Sequence, residues 1–269
     1  MAKKILVVPD VHGRTFWKEP VRKYMDEVDR VVFLGDYLDP YDEEGTDRRP
    51  EALYANLMEI IAVKQDHPDK VVLLKGNHDQ HYASERFREE AGGSRMDREN
   101  WQKYHDFFTG HKDLFRLAYL ETVKGIPYLF THAGVTAFWL NQVNALAWKK
   151  PDNEVSLTDP ETVQAINLLD FEGPGQDLLG IVGWRRSWFG EKTGSVLWAD
   201  AFEHSIPHAP KAYGLNKVFQ VFGHTQLAGH IDDKLEYDNF VMIDSQKCFI
   251  IDEAIDEKIM TVRDYEKVR

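Results

Sequence analysis

Along the N-terminal third of the chain, apolar residues alternate between two periods. Lys4-Ile5-Leu6-Val7-Val8, Val31-Val32-Phe33-Leu34 and Val71-Val72-Leu73-Leu74 contain short unbroken apolar runs, the pattern of strands buried on both faces. Between them, Trp17, Val21, Tyr24, Met25 and Val28 repeat at helical spacing and predict a helix over 16–28. Leu53, Leu57, Ile60 and Ile61 predict a second helix, opened by Pro50. The order β-α-β-α-β favours parallel strands with helices packed on the sheet. Further on, 85–108 reads as polar helix broken at Gly92-Gly93, 122–130 as a pair of short strands, and Lys217 to Phe222 as another strand. Phe240 to Asp244, Cys248 to Ile251 and Lys258 to Val262 are expected to close the fold as antiparallel strands. From about 135 to 215 the periodicity weakens. That stretch holds Trp139, Trp148, Trp184, Trp188 and Trp198 and is expected to be a Trp-rich insertion with short helices. The predicted organisation is one domain over 1–269.

The strand ends carry the chemistry. Asp10 and His12 follow the first apolar run, Asp36 and Asp39 the second, Asn77 and His78 the third, and His132 and His224 follow two later runs. Each group has a glycine beside it. Open α/β sheets place their sites at the carboxyl ends of strands. Imidazole, carboxylate and one amide oxygen, without thiolate, make a ligand set for zinc, manganese or iron. A carboxylate has two oxygens and can bridge two ions, and Asp36 is the natural bridge. The expected assignment gives Asp10, His12 and Asp36 to one ion and Asp36, Asn77, His132 and His224 to the other. Singly, each residue has a plain structural reading: Asp10 as a helix cap, Asn77 as a turn residue, the histidines as packed core. Recurrence at five strand ends is what favours a site. Asp244, ending its own strand, is expected either to support a ligand histidine or to make a turn.

Composition narrows the partners. A formal net charge of −12 argues against broad nucleic-acid binding, which needs basic groups facing phosphates. A phosphate substrate in one pocket remains compatible, because bound cations invert the local field. No apolar run reaches the roughly 20 residues of a membrane span. Met1-Ala2-Lys3-Lys4-Ile5 runs straight into a strand, so no signal peptide is expected. Cys248 is the single cysteine, which excludes a disulfide framework and suits a cytoplasmic setting.

Asp10-Val11-His12-Gly13, Gly35-Asp36-Tyr37-Leu38-Asp39, Gly76-Asn77-His78-Asp79, His132-Ala133-Gly134 and Gly223-His224 resemble the calcineurin-like metallophosphoesterases. The likeness is closest to the branch of serine/threonine protein phosphatases and diadenosine tetraphosphatases. Gly194 to Asp200 also resembles the tryptophan-containing segment those phosphatases carry between their last two metal histidines. The resemblance implies an α/β fold, a mixed β-sandwich flanked by helices in four layers, with two divalent ions (Mn, Fe or Zn) at the strand ends. It implies that His78 works with Asp39 as its orienting partner. Two such ions activate a water for attack on phosphorus. His78 is then expected to protonate the leaving group, with Asp39 fixing its tautomer.

Two positions depart from the family pattern. Where the protein phosphatases have a phosphate-gripping arginine after the second aspartate of the Gly-Asp motif, this chain has Pro40. Arg14, Arg48, Arg49, Arg185 and Arg186 are candidates for that task. Where many diesterases read Gly-His-x-His, Gln226 stands in for the second histidine; it either binds weakly or leaves the position to water. Three readings stay open: a phosphomonoesterase, including one acting on phosphoserine or phosphothreonine in proteins; a hydrolase of dinucleoside polyphosphates; and a metal- and phosphate-binding scaffold without turnover. The expected partner is a phosphorylated small molecule or protein. The other histidines, His67, His81, His105, His111, His204, His208 and His230, are expected to pack or face solvent.

Overall fold

Short apolar runs between amphipathic segments build the first part of the chain as read from the sequence. The computed structural model describes residues 2–42, 46–90, 94–170, 174–187, 190–204, 212–227 and 233–269. It divides into two compact units, Met1–Arg116 with Gln246–Arg269, and Leu117–Ser245.

The first unit begins β1 (Lys4–Val8), α1 (Lys18–Tyr24), β2 (Arg30–Phe33), α2 (Pro50–Asp66) and β3 (Val71–Leu74). Then come α3 (Asn77–Ala83), α4 (Glu85–Glu90), α5 (Trp101–Gly110) and β4 (Phe115–Arg116). Strands β1 to β4 pair in parallel. Helix α1 is shorter than its apolar spacing predicts. Glu27 N and Val28 N both donate to Tyr24 O and close the segment as a turn, yet Trp17, Val21, Tyr24, Met25 and Val28 all reach the core. The polar stretch 85–108 becomes two helices, and Gly92-Gly93 lies outside the described residues.

The second unit contains β5 (Ala118–Val123), β6 (Ile126–Thr131), α6 (Ala137–Val143), α7 (Pro160–Leu168), α8 (Pro174–Leu179), α9 (Ala201–His204), β7 (Phe219–Phe222), β8 (Leu235–Glu236) and β9 (Phe240–Met242). The sheet order is β5-β6-β7-β9-β8. The short helices fall between β6 and β7. Trp139 is buried there, its Nε1 donating to Leu178 O at 2.8 Å.

The chain then returns to the first unit with β10 (Phe249–Asp252), β11 (Met260–Thr261) and α10 (Val262–Val268). The expectation of three closing antiparallel strands needs two corrections. Strand β9 lies in the second unit's sheet, antiparallel to β8 as expected but parallel to β7 on its other side; only β10 and β11 close the first sheet antiparallel, through β1. Strand direction depends on where the chain re-enters a sheet, which apolar spacing does not encode. Secondly, β11 stops at Thr261, whose side chain accepts from Asp264 N and starts a helix. The outcome is an α/β protein with two mixed sheets flanked by helices.

Candidate active site

In the first unit, the turns after β1, β2 and β3 carry the predicted residues. Backbone pairing continues beyond the strands: Val11 N, His12 N and Gly13 N donate to Gly35 O, Asp36 O and Tyr37 O at 3.3, 2.6 and 2.9 Å. The turns hold His12, Asp36 and Asp39 in left-handed backbone, at φ of 46°, 53° and 58°. Each such residue costs about 1–3 kcal/mol, and strain of this kind collects at functional sites. Glycine is required at position 76, because a Cβ there would stand 2.0 Å from Asp36 Oδ1.

Asp10, His12 and Asp36 are buried, and their ligand atoms lie within 4.8 Å of one another. His12 Nδ1 lies 3.0 Å from both Leu38 O and Asp39 O. Carbonyls only accept, so Nδ1 carries the proton and Nε2, 3.4 Å from Asp36 Oδ2, is the ligand atom. Burial pushes the His12 pKa down to about 3, which keeps the ring neutral as a ligand must be. Two buried carboxylates and one neutral imidazole at this spacing suit a divalent ion. Asn77 is buried at the first position of α3, in helical backbone rather than a left-handed turn.

His78, next on α3, points its Nδ1 at Asp39 Oδ2, 2.8 Å away, and its backbone N–H donates to Asp36 Oδ1 at 3.0 Å. Burial opposes its protonation, but the Asp36 charge and the Asp39 hydrogen bond outweigh it and hold the His78 pKa above the ordinary histidine value. The Tyr82 hydroxyl donates to the other Asp39 oxygen.

Three further residues take part here. Asp79 accepts from Asp36 N, Tyr37 N and Gly76 N at 2.8, 3.0 and 2.8 Å, so one side chain pins two of the turns. Burial and then the Asp36 charge push its pKa up, against the pull of those three amides. Its signal was a carboxylate three residues after the glycine that precedes α3, the helix-capping spacing. Tyr82 is the second. The third is His81, one of the histidines expected to pack or face solvent and, by its spacing from His78, the first of them to check. It lies one helical turn after His78, with ring centroids 5.6 Å apart, and its ligand atom falls within 4.8 Å of those of Asp39 and His78. Burial pushes its pKa down to about 4.

The arginine candidates separate. Arg48 pairs with Asp42 and Arg49 with Asp47 on exposed surface. Arg14 is buried, with its guanidinium carbon 5.1 Å from the centre of the Tyr41 ring. Arg95, not considered from the sequence, lies 3.5 Å from the same ring centre.

In the second unit, His132 follows β6 and His224 follows β7. Both are buried, with His132 Nε2 3.1 Å from His224 Nδ1. His224 sits at φ 68°, another left-handed residue. Trp198 presents its ring edge-on to His224, with centroids 5.9 Å apart. Arg186 donates to Thr225 Oγ1 at 2.7 Å and to His224 O at 3.4 Å, and pairs with Asp200 at 3.2 Å. Arg185 lies between the exposed rings of Trp184 and Phe202, 5.1 and 5.0 Å from their centres. Gln226 is exposed, and Asp244 is buried two residues beyond the end of β9. His204 Nε2 lies 2.9 Å from Ala133 O, and burial pushes its pKa down to about 4. His105 and His111 stack on Trp101 and Phe107. His208, His230 and Trp188 lie outside the described residues.

The profile of the calcineurin-like phosphoesterase family matches residues 3–230. A solved structure of a serine/threonine phosphatase from Saccharomyces cerevisiae, described as similar to human phosphatase PP5, superimposes with a TM-score of 0.53 at 16% identity, over 96% of this chain and 79% of that one. At that identity the likeness shows the fold. A metallophosphoesterase from Sphaerobacter thermophilus matches 50% of this chain and 48% of its own at 18% identity, with a TM-score of 0.26 that carries no argument. No curated protein sequence matches at a significant level.

Proposed function

The chain belongs to the calcineurin-like phosphoesterase family, and on that premise we propose that it hydrolyses phosphate monoesters, with phosphoserine and phosphothreonine in proteins as the substrates to test first. What carries the reading is the His78–Asp39 pair beside the Asp10–His12–Asp36 cluster. In this proposal the two units act as one phosphoesterase domain with a Trp-rich insertion at about 135–215. Asp10, His12 and Asp36 hold one divalent ion, and Asp36, Asn77, His132 and His224 hold the other. When bound, manganese, iron or zinc ions supply the Lewis acidity that activates water and neutralises charge on the phosphate. Asp39 keeps the proton on His78 Nδ1 and orients the ring, so that Nε2 delivers a proton to the leaving oxygen. A cytoplasmic location belongs to the same proposal. Among the described residues no helix is long and apolar enough to cross a membrane.

One observation favours a second reading, hydrolysis of a dinucleoside polyphosphate. The exposed Trp184 and Phe202 with Arg185 between them form a surface on which a base could stack. Turnover of metal-reconstituted protein on phosphopeptides beside diadenosine tetraphosphate decides between the two. Metal uptake with no turnover on any phosphoester would leave the scaffold reading and defeat both.

A further inference from the structure

Pro40 removes the arginine that protein phosphatases place after the second aspartate of their motif, and the next residue, Tyr41, gathers two others. The Arg95 guanidinium carbon is 3.5 Å from the Tyr41 ring centre, a close cation–π contact, and Arg14 is 5.1 Å from it. The Tyr41 ring packs edge-on to His12 with centroids 4.7 Å apart. Arg95 Nε donates to Asp39 O at 3.2 Å, so the guanidinium is tied to the residue whose side chain holds His78. Its charge reaches the imidazoles of both His12 and His78. No carboxylate among the described residues pairs with Arg95, and none of those residues takes up its two Nη groups.

We propose that Arg95, seated with Arg14 on Tyr41, is the phosphate-binding group of this site and takes the place of the arginine lost at Pro40. The inference rests on the phosphoesterase reading above. Two cations held against one ring repel each other, and an anion placed beside them removes that cost. A guanidinium with Nε fixed keeps a planar pair of donors for two phosphate oxygens. The cation–π seat and the carbonyl restrict the side chain before substrate arrives, so less entropy is lost on binding. The ligand class is a phosphoryl dianion, whether the substrate's phosphate or free inorganic phosphate.

The test uses the full metal-loaded chain. Inorganic phosphate is titrated by calorimetry into wild type, Arg95→Ala, Arg95→Lys and Tyr41→Ala, and kcat and KM are measured on phenyl phosphate. Loss of a charge-assisted bidentate contact predicts a rise of about 10–100-fold in phosphate Kd and in KM for Arg95→Ala, with a smaller change in kcat. Arg95→Lys should recover part of the affinity, and Tyr41→Ala should lose part of it. Metal content and the urea midpoint should stay at wild-type values, because Arg95 is exposed. A phosphate Kd for Arg95→Ala within about twofold of wild type overturns the proposal, as does a loss of phosphate binding that appears only together with lost metal. Absence of turnover in wild type would defeat the phosphoesterase reading instead, and the calorimetric comparison would still decide the role of Arg95.

Discussion

The two units bring different chemistry to their strand ends. The first supplies carboxylates: Asp10 and Asp36 with His12, and Asp39 with His78, on turns tied by backbone pairing and by the buried Asp79. The second supplies two imidazoles, His132 and His224, meeting at 3.1 Å, with Trp198 and Arg186 around His224. The turn after His224 is held by the charged Arg186, the turn after His132 by a neutral side chain. Gln220 holds the turn after His132 by accepting from Val135 N at 2.8 Å and donating to Val135 O at 3.1 Å. A set of two carboxylates and an imidazole can hold a divalent ion unaided, whereas two imidazoles leave a divalent ion short of ligands. On the function proposed above, charge compensation and proton delivery would fall to residues of the first unit, and the imidazoles of the second would serve as neutral ligands.

The sharpest way to break that contrast is to count ions in variants from each side. Asp36→Ala should lose both ions by elemental analysis and lower turnover by on the order of 10³ or more, while His224→Ala should keep one ion. Equal losses would mean that the two sides are not distinct in kind. Next in size, His78→Asn should retain both ions and lose about 10²–10⁴ in kcat on an ester with a poor leaving group. Recovery of most of that loss on a good leaving group would show that the missing step is proton delivery. A change of less than a few-fold on the poor one would remove His78 from the mechanism.

Smaller effects concern the supports. Asp79→Ala leaves three buried amide donors without their acceptor and should lower stability by about 3 kcal/mol or more in urea unfolding. Gln220→Leu disrupts a neutral pair and should cost about 1–3 kcal/mol; a larger cost than that of Asp79→Ala would reverse the ranking of the two turns. The smallest effect lies far from either set of ligands. Burial disfavours the Asp252 carboxylate, but Ala254 N, the Tyr265 hydroxyl and Lys4 outweigh it and hold its pKa below the ordinary value. A depressed folded-state pKa stabilises above the unfolded carboxylate pKa, near 4, and that contribution fades as pH falls through the folded value. Urea midpoints should therefore drop in acid for wild type, and by less for Asp252→Asn over the same interval.

Much of the site can be read from local pattern alone. An apolar run followed by glycine and a polar ligand type is a short-range signal, and it located Asp10, His12, Asp36, Asn77, His78, His132 and His224 at strand ends or helix starts. The alternation of periods placed the parallel strands β1 to β3 and their helices in the same way. The direction of β9 could not be read so, because a strand has the same apolar spacing whichever way it enters the sheet. Nor could the helix capped by Thr261, whose side chain accepts from Asp264 N where the strand ends.

The arginines show the boundary most clearly. On the sequence, Arg14, Arg48, Arg49, Arg95, Arg185 and Arg186 are equivalent cations on polar stretches. The fold gives Arg48 and Arg49 to surface acids, Arg186 to Thr225 and Asp200, Arg185 to two exposed rings, and Arg14 and Arg95 to Tyr41. Backbone geometry and apolar period depend on near neighbours, so the order of residues determined where ligand atoms could emerge. Which charge faces which site depends on contacts made across the folded chain, and only the tertiary structure could decide that.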